Sequence, residues 1–91
     1  MNQNLAVAIA NLLREKWDLA LGPLYSETIY KELIAQGHQV PEGDMKEIFD
    51  KFIQAGIING HRNNDWESSK QHGCMLITLM DMDLLDQLDF D

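Results

Sequence analysis

Apolar residues recur at helical spacing between residues 4 and 20, which predicts a long amphipathic helix. The residues of this stripe are Leu5, Ile9, Leu12, Leu13 and Trp17. The stretch from Leu5 to Ala10 is apolar nearly all round the helix, which is more than one buried face requires. Two interpretations remain open: a central core helix, or a helix that also packs against a second copy of the chain. The second interpretation predicts a homodimer through residues 4–20.

Two shorter helices follow, and each is ended by a glycine. Ser26 is the predicted N-cap of the second helix, and Gly37 is its predicted stop. For the third helix, either Pro41 sets the first turn or Asp44 caps a slightly later start, and Gly56 ends the helix. The apolar faces are Ile29, Tyr30, Leu33 and Ile34 in the second helix, and Met45, Ile48, Phe49, Phe52 and Ile53 in the third.

Two β-prone runs come after the third helix. The first begins at Ile57-Ile58, and the second is CMLITLM, residues 74–80. The sequence between them, NGHRNNDWESSKQHG, is polar and rich in turn-forming residues. The pattern therefore predicts a hairpin whose two strands are joined by a long polar loop.

Residues 81–91 interleave aspartates with apolar side chains. As a helix, this segment places Met80, Leu84 and Leu88 on one stripe. As a flexible peptide, it resembles acidic, hydrophobic tails that dock into basic, apolar grooves. A short fourth helix and an acidic tail both stay open. We accordingly divide the chain into a domain over residues 1–80 and the segment 81–91.

The order of predicted elements is helix, helix, short turn, helix and hairpin. Over residues 5–80, this order resembles that of the winged-helix family of helix-turn-helix domains. The resemblance rests on ETIYKELIAQG, then VPEGDMKEIFDKFIQAGIING, then a hairpin that ends in CMLITL. It implies a mainly helical α+β fold, with three helices and a carboxyl-terminal β-hairpin wing. It also implies that the third helix enters the major groove of DNA and that the wing meets the backbone.

The charge of the chain argues against one class of partner. The net charge is −8, and residues 81–91 hold five aspartates without a base. The remainder has ten acids and seven bases, a net charge of −3. Binding to nucleic acid gains mainly from Lys and Arg that displace counterions from phosphates. An indiscriminate binder of nucleic acid or of an anionic membrane is therefore disfavoured.

Length and cysteine content set further limits. A chain of 91 residues is enough for one domain with one modest core. A single cysteine excludes an internal disulfide and predicts a reducing, cytoplasmic setting. No apolar run approaches the roughly 18 residues that a membrane-spanning helix needs, so we expect no membrane contact.

The outward face of the predicted third helix bears on the expectation of DNA binding. Opposite the apolar stripe lie Glu47, Asp50 and Gln54, with Lys46 and Lys51 at the flanks. The centre of this face is therefore carboxylate, which DNA phosphates repel. A solvated helix with internal Lys46–Asp50 and Glu47–Lys51 ion pairs is one interpretation. A second is a protein-contact surface, and a third is direct reading of base edges, for which only Gln54 is suited. The complete set of protein-contact candidates adds three residues of the acidic segment to three of this face: Glu47, Asp50, Gln54, Leu84, Leu88 and Phe90.

A set of basic and aromatic residues keeps DNA binding open as an alternative. Arg62 and Lys70, in the predicted loop, are suited to phosphate contacts, and Trp66 is suited to stacking on a base or sugar. Asp65 and Glu67 flank the tryptophan and offset those two charges. The complete set of nucleic-acid candidates is Lys46, Lys51, Arg62, Trp66 and Lys70.

Catalytic and metal chemistry find little support in the sequence. His61, His72 and Cys74 form the only cluster of soft ligands, and their spacing matches no familiar zinc motif. There is no glycine-rich phosphate loop, and Ser68-Ser69 has no evident orienting base. We expect no enzyme activity, no cofactor and no metal.

Three functions remain as hypotheses. The leading one is a small winged-helix regulatory or adaptor protein that acts mainly through protein–protein contacts. The second is a sequence-specific DNA-binding transcriptional regulator, dimerised through residues 4–20. The third is an acidic DNA-mimic inhibitor of phage or plasmid type, whose carboxylates occupy a basic groove on a nucleic-acid enzyme.

Overall fold

A computed structural model of the chain describes residues 3–19, 24–41, 43–62 and 75–87. Four helices and three strands follow one another along these residues. They are α1 (Gln3–Leu19), β1 (Leu24–Tyr25), α2 (Ser26–Ala35), α3 (Asp44–Gln54), β2 (Ile58–Arg62), β3 (Met75–Met80) and α4 (Met82–Gln87). The described fold is α+β and mostly helical, with a three-stranded antiparallel sheet.

The long helix predicted at the amino terminus is confirmed as α1, to within one residue at each end. Its apolar stripe is buried: Leu5, Ile9 and Leu13 are at most 3% exposed. The small side chains Ala6 and Ala10 are also buried, so most of the Leu5–Ala10 run packs inside this chain. The rest of the core comes mainly from Ile29 and Leu33 in α2, Met45, Ile48, Phe49 and Phe52 in α3, and Ile57, Ile58, Met75 and Ile77 at the strands.

α2 and α3 both end where a glycine follows the last helical turn. In α3, the N–H of Ile57 donates to the carbonyl of Phe52 at 2.9 Å, and Gly56 between them has φ of 78°. Glycine is favoured in this left-handed conformation because a Cβ would crowd the backbone. α2 ends in the same way at Gly37, so both predicted helix stops are confirmed.

The predicted helix starts need correction. Ser26 is the first helical residue of α2 and not its N-cap. Its buried hydroxyl oxygen accepts a hydrogen bond from the N–H of Met75 at 2.9 Å, which ties the start of α2 to the start of β3. α3 begins at Asp44 after Gly43, which occupies the N-cap position. Asp44 is therefore not the cap, and Pro41 lies before the helix instead of in its first turn.

β3 lies between β1 and β2 in the sheet, and both of its neighbours are antiparallel to it. The two strands of the predicted hairpin are confirmed as β2 and β3. The residues that join them, 63–74, lie outside the described residues. The sequence does not predict β1, because two residues are too few to show an alternating pattern.

A β-bulge interrupts the pairing of β2 and β3. Asn59 lies opposite Leu79, but the next residue, Gly60, lies opposite Ile77, so Thr78 is extra on β3. An extra residue shifts the alternation of faces along a strand. Ile77 is accordingly buried, whereas Leu79, two residues further on, is 59% exposed.

The strands approach so closely at the bulge that only glycine fits. A Cβ on Gly60 would overlap the backbone carbonyl oxygen of Leu76 and lie 3.0 Å from the backbone nitrogen of Thr78. The N–H of Gly60 donates to the side-chain oxygen of Asn59 at 2.8 Å. The bulge therefore requires glycine at position 60.

α4 packs against the domain mainly through Leu85, and Met82 is partly buried against the same core. Leu85 is 1% exposed and belongs to the core, whereas Leu84 is 38% exposed. The predicted stripe of Met80, Leu84 and Leu88 is therefore wrong where the chain is described, because Met80 belongs to β3 and Leu85 turns inward. Asp81 caps α4, since its carboxylate oxygen accepts the N–H of Leu84 at 3.0 Å.

Candidate functional site

The outward face of α3 is formed by residues opposite its buried stripe. Glu47, Lys51 and Gln54 are exposed there, because Met45 and Phe52 on the other side are buried in the core. A shallow depression follows this surface along the helix. It is lined by Gly43, Lys46, Glu47, Asp50, Lys51 and Gln54. We call the surface formed by Lys46, Glu47, Asp50, Lys51 and Gln54 the α3 face.

An ion pair neutralises part of the α3 face. Lys46 Nζ lies 2.9 Å from Asp50 Oδ2, and the two side chains are only 18% and 30% exposed. The predicted Lys46–Asp50 pair is confirmed. The predicted carboxylate centre is wrong at Asp50, which is partly buried and whose charge is offset by Lys46. The predicted Glu47–Lys51 pair is not found among the described residues, where Lys51 forms no ion pair with a carboxylate. The exposed side chains of the face carry one carboxylate, one ammonium and one amide, on Glu47, Lys51 and Gln54. The face is therefore mixed in charge.

Most of the described basic residues lie against carboxylates of the same chain. The four pairs are Arg14–Asp86 at 2.8 Å, Lys16–Glu32 at 3.9 Å, Lys31–Glu27 at 3.2 Å and Lys46–Asp50 at 2.9 Å. Six basic residues fall in the described parts of the chain. Within those parts, only Lys51 and Arg62 form no ion pair with a carboxylate.

The nucleic-acid candidates are divided among several places. Lys46 and Lys51 belong to the α3 face, and Arg62 is exposed at the end of β2. Trp66 and Lys70 lie outside the described residues. The described structure therefore brings together only the two lysines of this set, and one of them is paired with Asp50.

A second surface, which the sequence analysis missed, lies where β3 passes into α4. A groove there is lined by Gly56, Leu79, Met80, Asp81, Met82 and Asp83, and we call it the β3–α4 groove. Leu84 lies beside the groove, because its Cδ1 is 3.7 Å from the position that a Cβ on Gly56 would take. Leu79 and Leu84 are 59% and 38% exposed, so the groove has an apolar character that the α3 face lacks.

The sequence signals only part of this groove. Leu84 is among the predicted contact residues and is exposed, as expected for that role. Leu88 and Phe90, predicted with it, lie outside the described residues. In a regular strand, Leu79 would lie on the same face as the buried Met75 and Ile77. Alternation along β3 therefore does not predict that Leu79 is exposed. Its exposure depends on the bulge, and the bulge depends on the partner strand.

The outer surface of α1 is mostly polar. Val7 is 40% exposed and is the large apolar residue of α1 that faces outward among the described side chains. Asn4, Asn11 and Glu15 line the same shallow surface. The homodimer through residues 4–20 stays a prediction, and Val7 is the main apolar contact that α1 offers to it.

The described residues offer neither a metal-binding cluster nor a membrane-spanning helix. No group of three or more His, Cys, Asp or Glu among them is placed to hold a metal ion. His61 is exposed on β2, while His72 and Cys74 lie outside the described residues. No helix in the same parts of the chain is both long enough and apolar enough to cross a membrane.

Comparison with known proteins gave no match to this chain. No protein-family model matches the sequence, and neither a curated protein nor a solved structure matches it.

Proposed function

We propose that this chain is a small winged-helix regulatory or adaptor protein that acts mainly through contacts with other proteins. Three helices followed by a two-stranded antiparallel pair support the resemblance to that family. α3 ends directly before β2, which is the junction that the segment FIQAGII predicts. In such a domain, α3 presents the surface that meets the ligand.

The observation that carries the proposal is the internal pairing of the basic residues. Four of the six described basic residues already lie within 4 Å of a carboxylate of this chain. DNA affinity grows with the number of phosphates that cations neutralise, because each contact releases counterions. A lysine that leaves its carboxylate to reach a phosphate also leaves an uncompensated negative charge beside the DNA. The pairing therefore disfavours a phosphate-binding surface.

The mixed α3 face suits a protein partner better than a base edge. Glu47 and Lys51 place opposite charges on one exposed surface, and complementary charges at an interface fix register and select the partner. Gln54 is able to bond an adenine edge, but Glu47 on the same face repels the phosphates on either side of a groove. One favourable amide does not offset that repulsion.

Titration with DNA is the direct test of the proposal. A fluorescently labelled mixed-sequence duplex is titrated with the protein at about 50 mM salt, and anisotropy is measured. We expect no saturation below about 100 µM protein, which is the weak end of ordinary non-specific binding. Tight binding that weakens steeply with salt would contradict the proposal.

Protein contact is tested by recovering complexes from the cells that make the chain. Tagged protein is captured from lysate with and without nuclease, and bound protein and nucleic acid are both identified. Partner proteins that remain bound after nuclease treatment are expected. Partners that are all lost with nuclease would show that nucleic acid bridges them, and the proposal would fail.

A DNA-binding regulator is the second candidate, because Lys51 and Arg62 have no ion pair with a described carboxylate. If these residues contact phosphates, Lys51→Ala and Arg62→Ala weaken binding to every sequence by a similar factor. Lys31→Ala is the matched control, since Lys31 is exposed but paired with Glu27. Binding that responds to Lys51 and Arg62 but not to Lys31 would favour this candidate.

A further inference from the structure

The β3–α4 groove exposes large apolar side chains to solvent. Leu79 is 59% exposed, more than any other large apolar residue of the described chain. Leu84 is exposed nearby, and Gly56, which follows α3 and lines the groove, has no side chain to fill the space. Met80 and Met82 are only partly buried, and methionine adapts its shape to different apolar surfaces. The groove is therefore suited to receive apolar side chains.

The rim of the groove is acidic. Asp81 and Asp83 line it, and no lysine, arginine or histidine of the described chain lines it with them. Neither aspartate forms an ion pair with a described residue, unlike Asp50 on the α3 face. Asp81 is also fixed in place, because one of its carboxylate oxygens accepts the N–H of Leu84. Two negative charges beside exposed leucines favour an occupant that is apolar and basic.

Two other segments of this chain, residues 63–74 and 88–91, are poorly suited to occupy the groove. Residues 88–91 follow α4 directly, but they carry two aspartates and no base, so the rim repels them. Residues 63–74 contain Lys70, but they leave the hairpin at the pair Arg62–Met75. The groove is at the opposite end of the hairpin, where Ile58 pairs with Met80. The chemistry of the groove therefore suits a basic segment of another molecule better than either of these segments.

From these observations we infer that the β3–α4 groove is the docking site for a basic, apolar peptide segment of a partner protein. Apolar side chains of the segment pack on Leu79 and Leu84, and its lysines or arginines face Asp81 and Asp83. The inference rests on the proposed function, since it assumes that the chain acts by binding protein. It adds the surface, which is separate from the α3 face, and the chemistry of the partner.

Three synthetic peptides of about 12 residues test the inference. The first has two leucines four residues apart with lysines between and around them, the second has glutamates in place of the lysines, and the third has serines in place of the leucines. Each is added to the full ¹⁵N-labelled chain, and amide shifts are followed by NMR. We expect the first peptide alone to shift the amides of Gly56, Leu79 and Asp83, because both its charge and its apolar side chains are required.

Single substitutions, each with a matched control, show which side chains of the groove contribute to peptide affinity. We expect Leu79→Ser to weaken binding of the leucine–lysine peptide about tenfold, which is the typical effect of losing an apolar contact at the centre of a small interface. Val7→Ser is the control, because Val7 is also an exposed apolar residue but lies on α1, and it should leave the affinity unchanged. Asp83→Asn should weaken binding roughly threefold and reduce its salt dependence.

Several results would overturn the inference. Shifts confined to the α3 face would place peptide binding elsewhere and leave the proposed protein-contact function standing. Equal binding of the glutamate peptide would remove the role of the acidic rim. A change in sedimentation mass of the peptide-free protein on Leu79→Ser would identify a second copy of the chain as the occupant. The DNA titration is separate, so failure of the proposed function is recognised independently of the groove.

Discussion

α1 and the β3–α4 end of the molecule are both rich in leucine, but they use it in opposite ways. In α1, Leu5, Leu12 and Leu13 are all at most 3% exposed. At the other end, Leu79 and Leu84 are 59% and 38% exposed. α1 is an uninterrupted helix, so residues at helical spacing stay on one face, whereas the bulge in β3 moves Leu79 to the other face of the strand. Leu84 is exposed for a different reason, because α4 turns the adjacent Leu85 toward the core. The comparison shows that the position of a leucine relative to the backbone of its own element decides whether it is buried here.

Removing the bulge should have the largest effect on this difference. In Gly60→Ala, the Cβ overlaps the carbonyl oxygen of Leu76, so β2 and β3 must separate or change register. We expect the free energy of unfolding, measured with urea, to fall by more than about 4 kcal/mol, a range that few single substitutions reach. The control is Gly37→Ala, where φ is positive but no atom lies within 4 Å of the Cβ. It should cost about 1–2 kcal/mol, and an equal cost at both glycines would contradict the role of the bulge.

Truncating the neighbouring leucines of α4 separates a buried from an exposed position within one helix. Leu85→Ala removes a core side chain, and we expect a loss of about 2–4 kcal/mol in the free energy of unfolding. Leu84→Ala, on the exposed side, should change it by less than about 1 kcal/mol. Thermal or urea unfolding of both variants measures the difference. Similar losses would mean that α4 does not pack through Leu85.

The cap of α4 predicts a smaller effect. Asp81→Ala leaves the N–H of Leu84 without its side-chain acceptor, and we expect a loss of about 1 kcal/mol by urea unfolding. Asp81→Asn keeps an oxygen acceptor and should lose only a few tenths of that amount. The pair of variants thus separates capping from charge at the groove. Equal losses would show that the charge, and not the hydrogen bond, holds the helix.

The ion pair that joins α1 to α4 should contribute least. Arg14 and Asp86 are 2.8 Å apart, but their side chains are 37% and 60% exposed. We expect a double-mutant cycle with Arg14→Ala and Asp86→Ala to give a coupling energy of about 0.2–1 kcal/mol. The coupling should shrink in about 1 M salt, where the screening length is short. A coupling that is several times larger and insensitive to salt would indicate that the pair fixes the position of α4.

The helices are predictable because their signals are local. The 3.6-residue period identifies most of the buried faces of α1, α2 and α3 within each segment. It is wrong at Ile34, which it places on the apolar face of α2 but which is 48% exposed. The stops at Gly37 and Gly56 need only the conformational freedom of one residue. On the α3 face, spacing alone predicts that Glu47 and Gln54 are exposed, and it also predicts the Lys46–Asp50 pair as one interpretation.

The features that the sequence does not reveal depend on contacts between distant segments. The Ser26 hydroxyl accepts a hydrogen bond from the N–H of Met75, 49 residues away. Rules for helix capping consider only neighbouring residues, so they do not predict this contact with β3. The bulge at Thr78 depends on the register with β2, and the exposure of Leu79 follows from it. The sequence does not reveal the β3–α4 groove for this reason. Its main apolar residue, Leu79, would lie on the buried face of β3 if the strand were regular.

β3 is synthesised after β1 and β2, although it lies between them in the sheet. A nascent chain that ends before Met75 therefore has two strands with no partner to bridge them. Helices form early in such a chain, but the residues of β3 that cover their apolar faces arrive later. The sheet therefore forms only once β3 is available to pair with both of its neighbours.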